Sequence, residues 1–257
     1  MTQQRFLNRV ALVTGGASGM GRQIALSFAA EGAKVVVGDI QDEMGAETVA
    51  IITAAGGQAV FQKTDVSQTA DVDALVALAV SHFGGLNHAV NAAASEGEAP
   101  ELALLEEDVF DRIIAVNLRS VFLSMRAEVR AFLTAKTGGT IVNIASTNSY
   151  RPQPGQSAYT SSKFAVAGIT KAAAIEYAGR GIRINAVAPG SIDTPMLRNA
   201  MARRKRGSEE DTIARLSLIG RFGTVEEIAH ATLWLSSDEA TYTMGHVMAV
   251  DGGYLSR

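Results

Sequence analysis

A regular alternation of short β-branched runs with helical stretches is the feature that most constrains the fold of this chain. The runs Val10–Val13 and Lys34–Val37 are almost wholly apolar, as strands buried on both faces of a sheet must be. Between them, Met20–Ala30 carries apolar residues at helical spacing. Strands that alternate with helices are joined by crossovers, which make the strands parallel. We therefore predict an α/β fold, a doubly wound parallel sheet of about seven strands with helices on both faces.

The same pattern continues along the rest of the chain. Further strands are predicted at Ala59–Phe61, Leu86–Val90, Thr140–Ile144, Arg183–Ala188 and Val247–Val250, and further helices at Glu43–Ala55, Val72–His82, Glu107–Thr134, Ala158–Ala178 and from near Val225. No linker, repeat or low-complexity tract interrupts the pattern, so we expect residues 1–257 to form a single domain.

Composition excludes several classes of function. A net charge of −3 and a pI near 5.8 provide no basic field, so neither nucleic acid nor a membrane surface is an expected partner. The absence of cysteine rules out disulfides, thiolate metal sites and a cysteine nucleophile. The four histidines lack metal-ligand spacing, so no metal is expected. No apolar run approaches the roughly 18 residues of a membrane span, and the N-terminus lacks a signal-peptide core, which predicts a soluble, cytoplasmic protein.

A glycine-rich segment, Thr14–Gly21, lies between the first predicted strand and the first predicted helix. Gly15, Gly19 and Gly21 permit a tight turn and close approach of the backbone. The helix that follows directs free N–H groups and the positive end of its dipole at an anion. This arrangement favours a dinucleotide site, with glycine spacing wider than GxGxxG. The alternative is a glycine-rich turn that binds nothing.

The end of the second predicted strand carries an acidic residue, Asp39, 18 residues after Gly21. A carboxylate there accepts hydrogen bonds from the ribose hydroxyls of NAD. It also repels the 2′-phosphate of NADP, by about 4 kcal/mol per unit charge at ~4 Å and an effective dielectric constant of ~20. We therefore expect NAD as the cofactor, unless Asp39 is simply a solvated strand end.

Tyr159 and Lys163 stand four residues apart at the start of a helical stretch, so they share one helix face. A lysine ammonium ~5 Å from a phenol lowers the pKa of that phenol by roughly two units, which makes tyrosine a usable base. Ser146, at the end of a strand, is placed to hydrogen-bond a substrate oxygen. Asn117 lies within a helical stretch that asparagine disfavours, which indicates a distortion or a bound water.

These motifs resemble, in order and over almost the full length, those of the short-chain dehydrogenase/reductase family in its compact one-domain branch. The matching positions are Thr14-Gly15-x-x-x-Gly19-x-Gly21, Asp39, Asp65-Val66, Asn117, Ser146, Tyr159-x-x-x-Lys163, Pro189-Gly190, Arg221-Phe222-Gly223 and Val250-Asp251-Gly252-Gly253. The resemblance implies a Rossmann-type fold. It also implies a homotetramer with the Tyr/Lys helix at one interface.

The resemblance further implies roles for the matching residues. Tyr159 would be the acid/base, Lys163 would also bind the nicotinamide ribose, Ser146 would orient the substrate oxygen, and Asn117 would hold a water in a proton relay. Asp65 and Val66 would contact adenine, and Thr194 the nicotinamide amide or a phosphate. The expected cofactor-binding residues are Gly15, Ser18, Gly19, Met20, Gly21, Asp39, Ile40, Asp65, Val66, Asn91, Tyr159, Lys163, Pro189, Gly190, Ile192 and Thr194.

One stretch departs from the family pattern. Asn91-Ala92-Ala93-Ala94 stands where the family usually has Asn-Asn-Ala-Gly. Ala92 replaces the second asparagine and Ala94 the glycine, so Ala94 must take a backbone conformation open to non-glycine residues. We expect the cofactor site to survive this change, with one polar interaction fewer at the strand end.

Together these features predict an NAD-dependent oxidoreductase that interconverts a secondary alcohol and a ketone, with a ring-bearing small molecule as substrate. The alternative is a non-catalytic, regulatory NAD(H)-binding protein on the same fold; a purely structural homo-oligomer is the weakest interpretation. The expected substrate pocket is lined by Ser146, Thr147, Asn148, residues 95–98, Tyr159, Ser191, Ile192 and the segment after Met196.

The segment from Met196 to Arg215 is unusually charged and follows the Pro189-Gly190 turn. We expect residues 196–215 to form a lid over this pocket. The alternative is a fixed helix pair that packs on a neighbouring subunit. Its basic cluster, Arg203–Arg206, either binds an acidic substrate or, as we favour, forms a solvated helix face.

Overall fold

A single sheet of seven parallel strands runs through the computed structural model, which describes residues 4–95, 100–204 and 208–257. The strand order is β3-β2-β1-β4-β5-β6-β7. The strands are β1 Val10–Thr14, β2 Lys34–Asp39, β3 Gln58–Lys63, β4 His88–Asn91, β5 Gly139–Ile144, β6 Ile182–Pro189 and β7 Val247–Val250. This order confirms the predicted doubly wound parallel sheet.

Helices cover both faces of the sheet. They are α1 Gly19–Ala30, α2 Asp42–Ala54, α3 Thr69–Phe83, α4 Glu107–Ile114, α5 Ser120–Ala135, α6 Ser157–Tyr177, α7 Pro195–Arg204, α8 Glu209–Leu216 and α9 Val225–Ser236. Successive side chains of a strand point to opposite faces. Accordingly, Leu12 packs into a core that includes residues of α3, α5 and α6. Ala11 and Val13 pack into a second core with α1, α2 and α9.

The strand order reverses between β1 and β4, and this reversal places the ligand cleft. From β1 the chain crosses to β2 on one side, and from β4 it crosses to β5 on the other. The loops that leave these two strands therefore diverge and open a crevice at their carboxyl ends. The glycine-rich segment follows β1, so it lies at this point.

The long helix predicted at Glu107–Thr134 is interrupted. A π-helical turn, Ala115–Arg119, separates α4 from α5 and contains Asn117. The side chain of Asn117 accepts a hydrogen bond from the Ser95 amide at 2.6 Å and donates to the Ser95 carbonyl at 3.2 Å. Asn117 therefore ties the loop after β4 to the widened turn, and the predicted distortion is confirmed.

The charged segment after β6 forms two short helices, α7 and α8. Arg198 on α7 pairs with Asp193 and with Glu209 on α8, each at 2.7 Å. These pairs are exposed and contribute little to stability. Lys205 and Arg206 of the basic cluster lie outside the described residues. Among the residues described, no helix is long and apolar enough to span a bilayer.

Candidate active site

A long groove runs across the carboxyl ends of the strands, and a side pocket opens from it. The groove is lined by Gly15, Ser18–Gly21, Asp39–Gln41, Thr64–Val66, Ala92–Ala94, Val116, Ile144, Ala145, Tyr159, Lys163 and Thr194–Met196. The side pocket is lined by Met20, Ala145–Asn148, Gln153, Gln156, Tyr159, Pro189–Ile192, Thr194, Met196, Leu197 and Ala200. Tyr159 lies at the junction because it lines both.

The glycine-rich segment packs too closely for side chains. Gly15 has a φ of +70°, and a Cβ there would lie 2.6 Å from the amide nitrogen of Ala93. A Cβ on Gly21 would collide with the Gly15 carbonyl oxygen. The Gly15 amide donates to the Gly38 carbonyl at 2.8 Å, which fixes the turn to the end of β2. The backbone itself therefore forms the floor of the groove.

The start of α1 fits an anionic group. Ser18 is the N-cap residue, but its side chain makes no capping hydrogen bond, and the first turn of α1 has no acidic residue. A Cβ on Gly19 would meet nothing closer than Thr194 Cγ2 at 3.6 Å, so space remains between the helix start and Thr194. The uncapped N–H groups and the helix dipole suit a diphosphate at this place.

Asp39 is held rigidly at the edge of the groove. Its Oδ2 accepts from the amide of Ala17 in the glycine-rich segment at 3.0 Å, and its Oδ1 accepts from the Gln41 amide at 2.9 Å. The carboxylate is 8% exposed, so its position is fixed by backbone donors rather than by solvent. Next to it, Ile40, Asp65 and Val66 form the end of the groove.

Lys163 is buried at the base of the groove. Its Nζ donates to the Ile144 carbonyl at the end of β5, at 2.8 Å, and lies 5.7 Å from the centroid of the Tyr159 ring. Burial lowers the pKa of Lys163 to about 8. The predicted face shared by Tyr159 and Lys163 on α6 is present, and the separation is close to the expected one.

The pKa of Tyr159 differs from the sequence-based expectation. Burial raises the pKa of the phenol above 10, and the hydrogen bond with Ser146 opposes this shift. The net shift for the protein alone is therefore opposite in direction to the lowering expected from Lys163, because burial penalises the charged phenolate. In this state Tyr159 carries its proton at neutral pH and is ready to act as an acid.

Ser146 lies at the junction of the two cavities, whereas Asn117 lies behind it. Ser146 lines the side pocket, and its Oγ accepts from the Asn148 amide at 3.1 Å while also bonding Tyr159. Asn117 is fully buried and lines neither cavity. Both ends of its amide are used, because Nδ2 also reaches Ser162 Oγ at 3.5 Å. Its geometry fits a positioning residue for the loop after β4.

Asn91 lies behind the groove, not in it. Its Nδ2 donates to Asn143 Oδ1 at 3.0 Å and to Glu128 Oε2 at 3.2 Å, and Asn143 in turn donates to Thr170 Oγ1 at 2.9 Å. The side chain of Asn91, a predicted cofactor-binding residue, points from β4 toward α5 and α6, away from the groove. This buried network joins β4, β5, α5 and α6 directly behind Lys163.

The remaining predicted cofactor residues divide between the two cavities. The residues that line the groove are Gly15, Ser18, Gly19, Met20, Gly21, Asp39, Ile40, Asp65, Val66, Tyr159, Lys163 and Thr194. Pro189, Gly190 and Ile192 line the side pocket instead. The expected pocket residues Ser146, Thr147, Asn148, Tyr159, Ser191, Ile192, Met196 and Leu197 line the side pocket. Ser95 does not line it and is bonded to Asn117 instead; residues 96–98 lie outside the described part of the chain.

Some site residues were missed by sequence reasoning. Gln153 and Gln156 line the side pocket, but neutral side chains on a loop give no spacing that would identify them. Arg22 donates from Nε to the Ala17 carbonyl at 2.8 Å and braces the glycine-rich segment against Glu47. Its place directly after Gly21 was a signal that could have found it.

Comparison with known proteins identifies the class to which this fold and site belong. A family model described as Enoyl-(Acyl carrier protein) reductase matches residues 15–255. The chain is 42% identical over 247 residues to the short chain dehydrogenase/reductase astE of Aspergillus oryzae (strain ATCC 42149 / RIB 40), covering 95% of this chain and 94% of that protein. The chain therefore belongs to the short-chain dehydrogenase/reductase family.

Two further relatives narrow the comparison. The chain is 42% identical over 253 residues to a cyclohexanol dehydrogenase from Acinetobacter sp. (strain SE19), covering 98% of this chain and 97% of that protein. The crystal structure of levodione reductase superposes with a TM-score of 0.93 at 36% identity, covering 98% of this chain and 99% of the other. The chain is an oxidoreductase of the alcohol–ketone type that uses a nicotinamide cofactor, and these relatives give no support to a non-catalytic protein.

Proposed function

We propose that the chain is an NAD-dependent enzyme that interconverts a secondary alcohol and a ketone on a ring-bearing substrate. The observation that carries this proposal is the convergence of Ser146, Tyr159 and Lys163 where the groove meets the side pocket. A cofactor in the groove and a substrate in the side pocket would meet at Tyr159. The cyclohexanol dehydrogenase relative supports a cyclic substrate.

The choice of NAD rests on Asp39. Its carboxylate is fixed by the Ala17 and Gln41 amides at the edge of the groove. A 2′-phosphate placed against it would meet a repulsion of about 4 kcal/mol per unit charge at ~4 Å and an effective dielectric constant of ~20. The carboxylate cannot turn away without losing its two backbone donors, so the repulsion persists.

The reaction divides between the cofactor and the side chains at the junction. NAD, when bound, supplies the hydride acceptor or donor at the substrate carbon. We assign Tyr159 to proton transfer at the substrate oxygen: its phenol donates in reduction and its phenolate accepts in oxidation. Ser146 hydrogen-bonds the same oxygen as charge develops there. Lys163, held on the Ile144 carbonyl, places a cationic group beside the phenolate.

The segment 196–215 is proposed as a lid within a single domain formed by the whole chain. Its first helix, α7, contributes Met196, Leu197 and Ala200 to the side pocket. Arg198 forms exposed ion pairs with Asp193, outside the segment, and with Glu209, within it. Exposed pairs contribute little to stability, so they would resist the opening of a lid only weakly.

We further propose that the enzyme is a homotetramer that works in the cytoplasm. Phe122 on α5, with Phe164 and Ile175 on α6, expose large apolar surface, and Ile175 is 83% exposed. Apolar faces of this kind are typical of subunit interfaces. Analytical ultracentrifugation tests the tetramer; a single species at the 26.9 kDa monomer mass would contradict it.

A panel of secondary alcohols with NAD at alkaline pH, followed by NADH absorbance, tests the proposed activity. Cyclic alcohols are expected to be turned over faster than open-chain alcohols of equal carbon number. The panel should include an enoyl thioester with NADH, because the matched family model carries that description. Reduction of the thioester together with no reaction of any alcohol would overturn the proposal.

A further inference from the structure

Three side-chain amides form a chain along one wall of the side pocket. Asn148 donates from Nδ2 to Gln156 Oε1 at 2.6 Å, and Gln153 donates from Nε2 to Asn148 Oδ1 at 3.4 Å. All three residues line the side pocket beside Ser146 and Tyr159. Asn148 is buried and forms the centre of this amide chain, which holds the two glutamines in place.

The amide chain leaves one hydrogen-bonding group at each end. In the described part of the protein, Gln156 Nε2 and Gln153 Oε1 have no hydrogen-bond partner. Turning all three amides over would exchange the roles, leaving an acceptor on Gln156 and a donor on Gln153. Either assignment gives the wall one spare donor and one spare acceptor.

Another part of the side pocket is apolar. Ile192, Met196, Leu197 and Ala200 provide apolar side chains. A plain hydrocarbon ring would suit these residues, but it would also cover the spare amide groups and leave them without partners. Covering polar groups without replacing their hydrogen bonds to water is unfavourable.

We propose that Gln153 and Gln156 select a substrate that carries a second oxygen function, a hydroxyl or a carbonyl, on the ring away from the reacting carbon. This inference rests on the proposed function, because it places the reacting carbon at Tyr159. A hydroxyl can pair with either spare group, since it donates and accepts; a carbonyl can pair only with the donor. The wall therefore favours diols and hydroxyketones.

The test compares cyclohexanol with cis- and trans-1,4-cyclohexanediol as substrates of the full-length enzyme with NAD. A hydrogen bond between neutral groups changes binding by roughly twofold to tenfold. After division by two for its two equivalent carbinol carbons, the better diol is expected to have about tenfold higher kcat/KM than cyclohexanol.

The variants Gln156→Leu and Gln153→Leu should remove this preference. Each is expected to lower kcat/KM for the diol several-fold more than kcat/KM for cyclohexanol, so that the ratio of the two values falls toward one. Gln58→Leu, at the exposed start of β3 and at the opposite end of the sheet, is the matched control and should change neither. NADH binding and melting temperature show that the variants are folded, and Gln156→Glu provides a second variant that keeps an acceptor.

Two outcomes overturn the inference while the proposed function stands. In one, cyclohexanol is oxidised but the diol has no advantage in the wild type. In the other, the leucine variants lower kcat/KM for both alcohols equally, which means that the amide chain only braces the loop. If the wild type oxidises neither ring alcohol, the proposed function fails and the inference fails with it.

Discussion

Replacing Glu128 by glutamine is expected to stabilise the protein at alkaline pH. Glu128 lies on α5 with no exposed surface, and burial raises the pKa of its carboxyl group to about 8 from an ordinary value of 4.5. Its Oε1 and the Oδ1 of Asn91 both lack a partner in the described part of the chain. A neutral carboxyl group supplies a donor to this network, which otherwise has too many acceptors.

The raised pKa of Glu128 determines how the free energy of unfolding changes with pH. Between pH 4.5 and about 8, the unfolded chain releases the proton of Glu128 while the folded chain keeps it, so the free energy of unfolding falls as pH rises. The loss is about 1.4 kcal/mol per pH unit, or about 2 kcal/mol between pH 6.5 and 8. Burial lowers the pKa of His88 to about 3, and the stability that follows from this shift is lost only as pH falls below 6.5. Lys163, whose pKa burial lowers to about 8, also begins to titrate at the upper end of this interval, but it does so in wild type and variant alike. The difference between the two proteins therefore reports on Glu128.

Urea denaturation followed by circular dichroism at pH 6.5 and pH 8 measures this difference. Glu128→Gln should lose about 2 kcal/mol less than the wild type over the interval, because an amide does not titrate. Glu107→Gln, at an exposed position of α4, is the matched control and should follow the wild type. Equal losses in the wild type and in Glu128→Gln would refute the assignment of a neutral buried carboxyl group.

Two further predictions concern the cofactor and the lid. Asp39→Ala should narrow the preference for NAD over NADP, since it removes both the ribose acceptor and the repulsion of the phosphate; kcat/KM for both cofactors in both proteins measures this, and a wild type that prefers NADP would contradict it. Backbone amides of residues 196–215 should exchange quickly in the free enzyme and slowly with NADH and a substrate analogue bound. High protection without ligand, unchanged on binding, would instead show a fixed helix pair.

The fold could be predicted because its evidence is local. The alternation of apolar strands with helices can be recognised from short stretches of sequence. The position of Asp39 at the end of β2 follows from the length of that strand. The distortion at Asn117 was also predictable, since asparagine disfavours a helix interior. That it takes the form of a π turn was not, because its bonds to Ser95 come from a distant part of the chain.

Other properties of the site depend on how deeply a side chain is buried and on which way it points. The spacing of residues in the sequence predicts neither. The spacing of Tyr159 and Lys163 gives their proximity, but the rise in the pKa of Tyr159 comes from the protein packed around it. The turn of Asn91 toward Glu128 depends on which face of β4 it occupies. Gln153 and Gln156 reach the side pocket through a loop whose path is set by the buried Asn148.

The most direct test of the account is the turnover number for cyclohexanol oxidation with NAD, measured side by side for the wild type and for Tyr159→Phe. Phenylalanine keeps the packed ring and removes the transferable proton, and general acid–base catalysis typically contributes 10²–10⁴-fold. We expect Tyr159→Phe to lower kcat by at least about a hundredfold and to leave NADH binding unchanged. A variant that kept more than about a tenth of the wild-type kcat would contradict the assignment of Tyr159 as the acid/base.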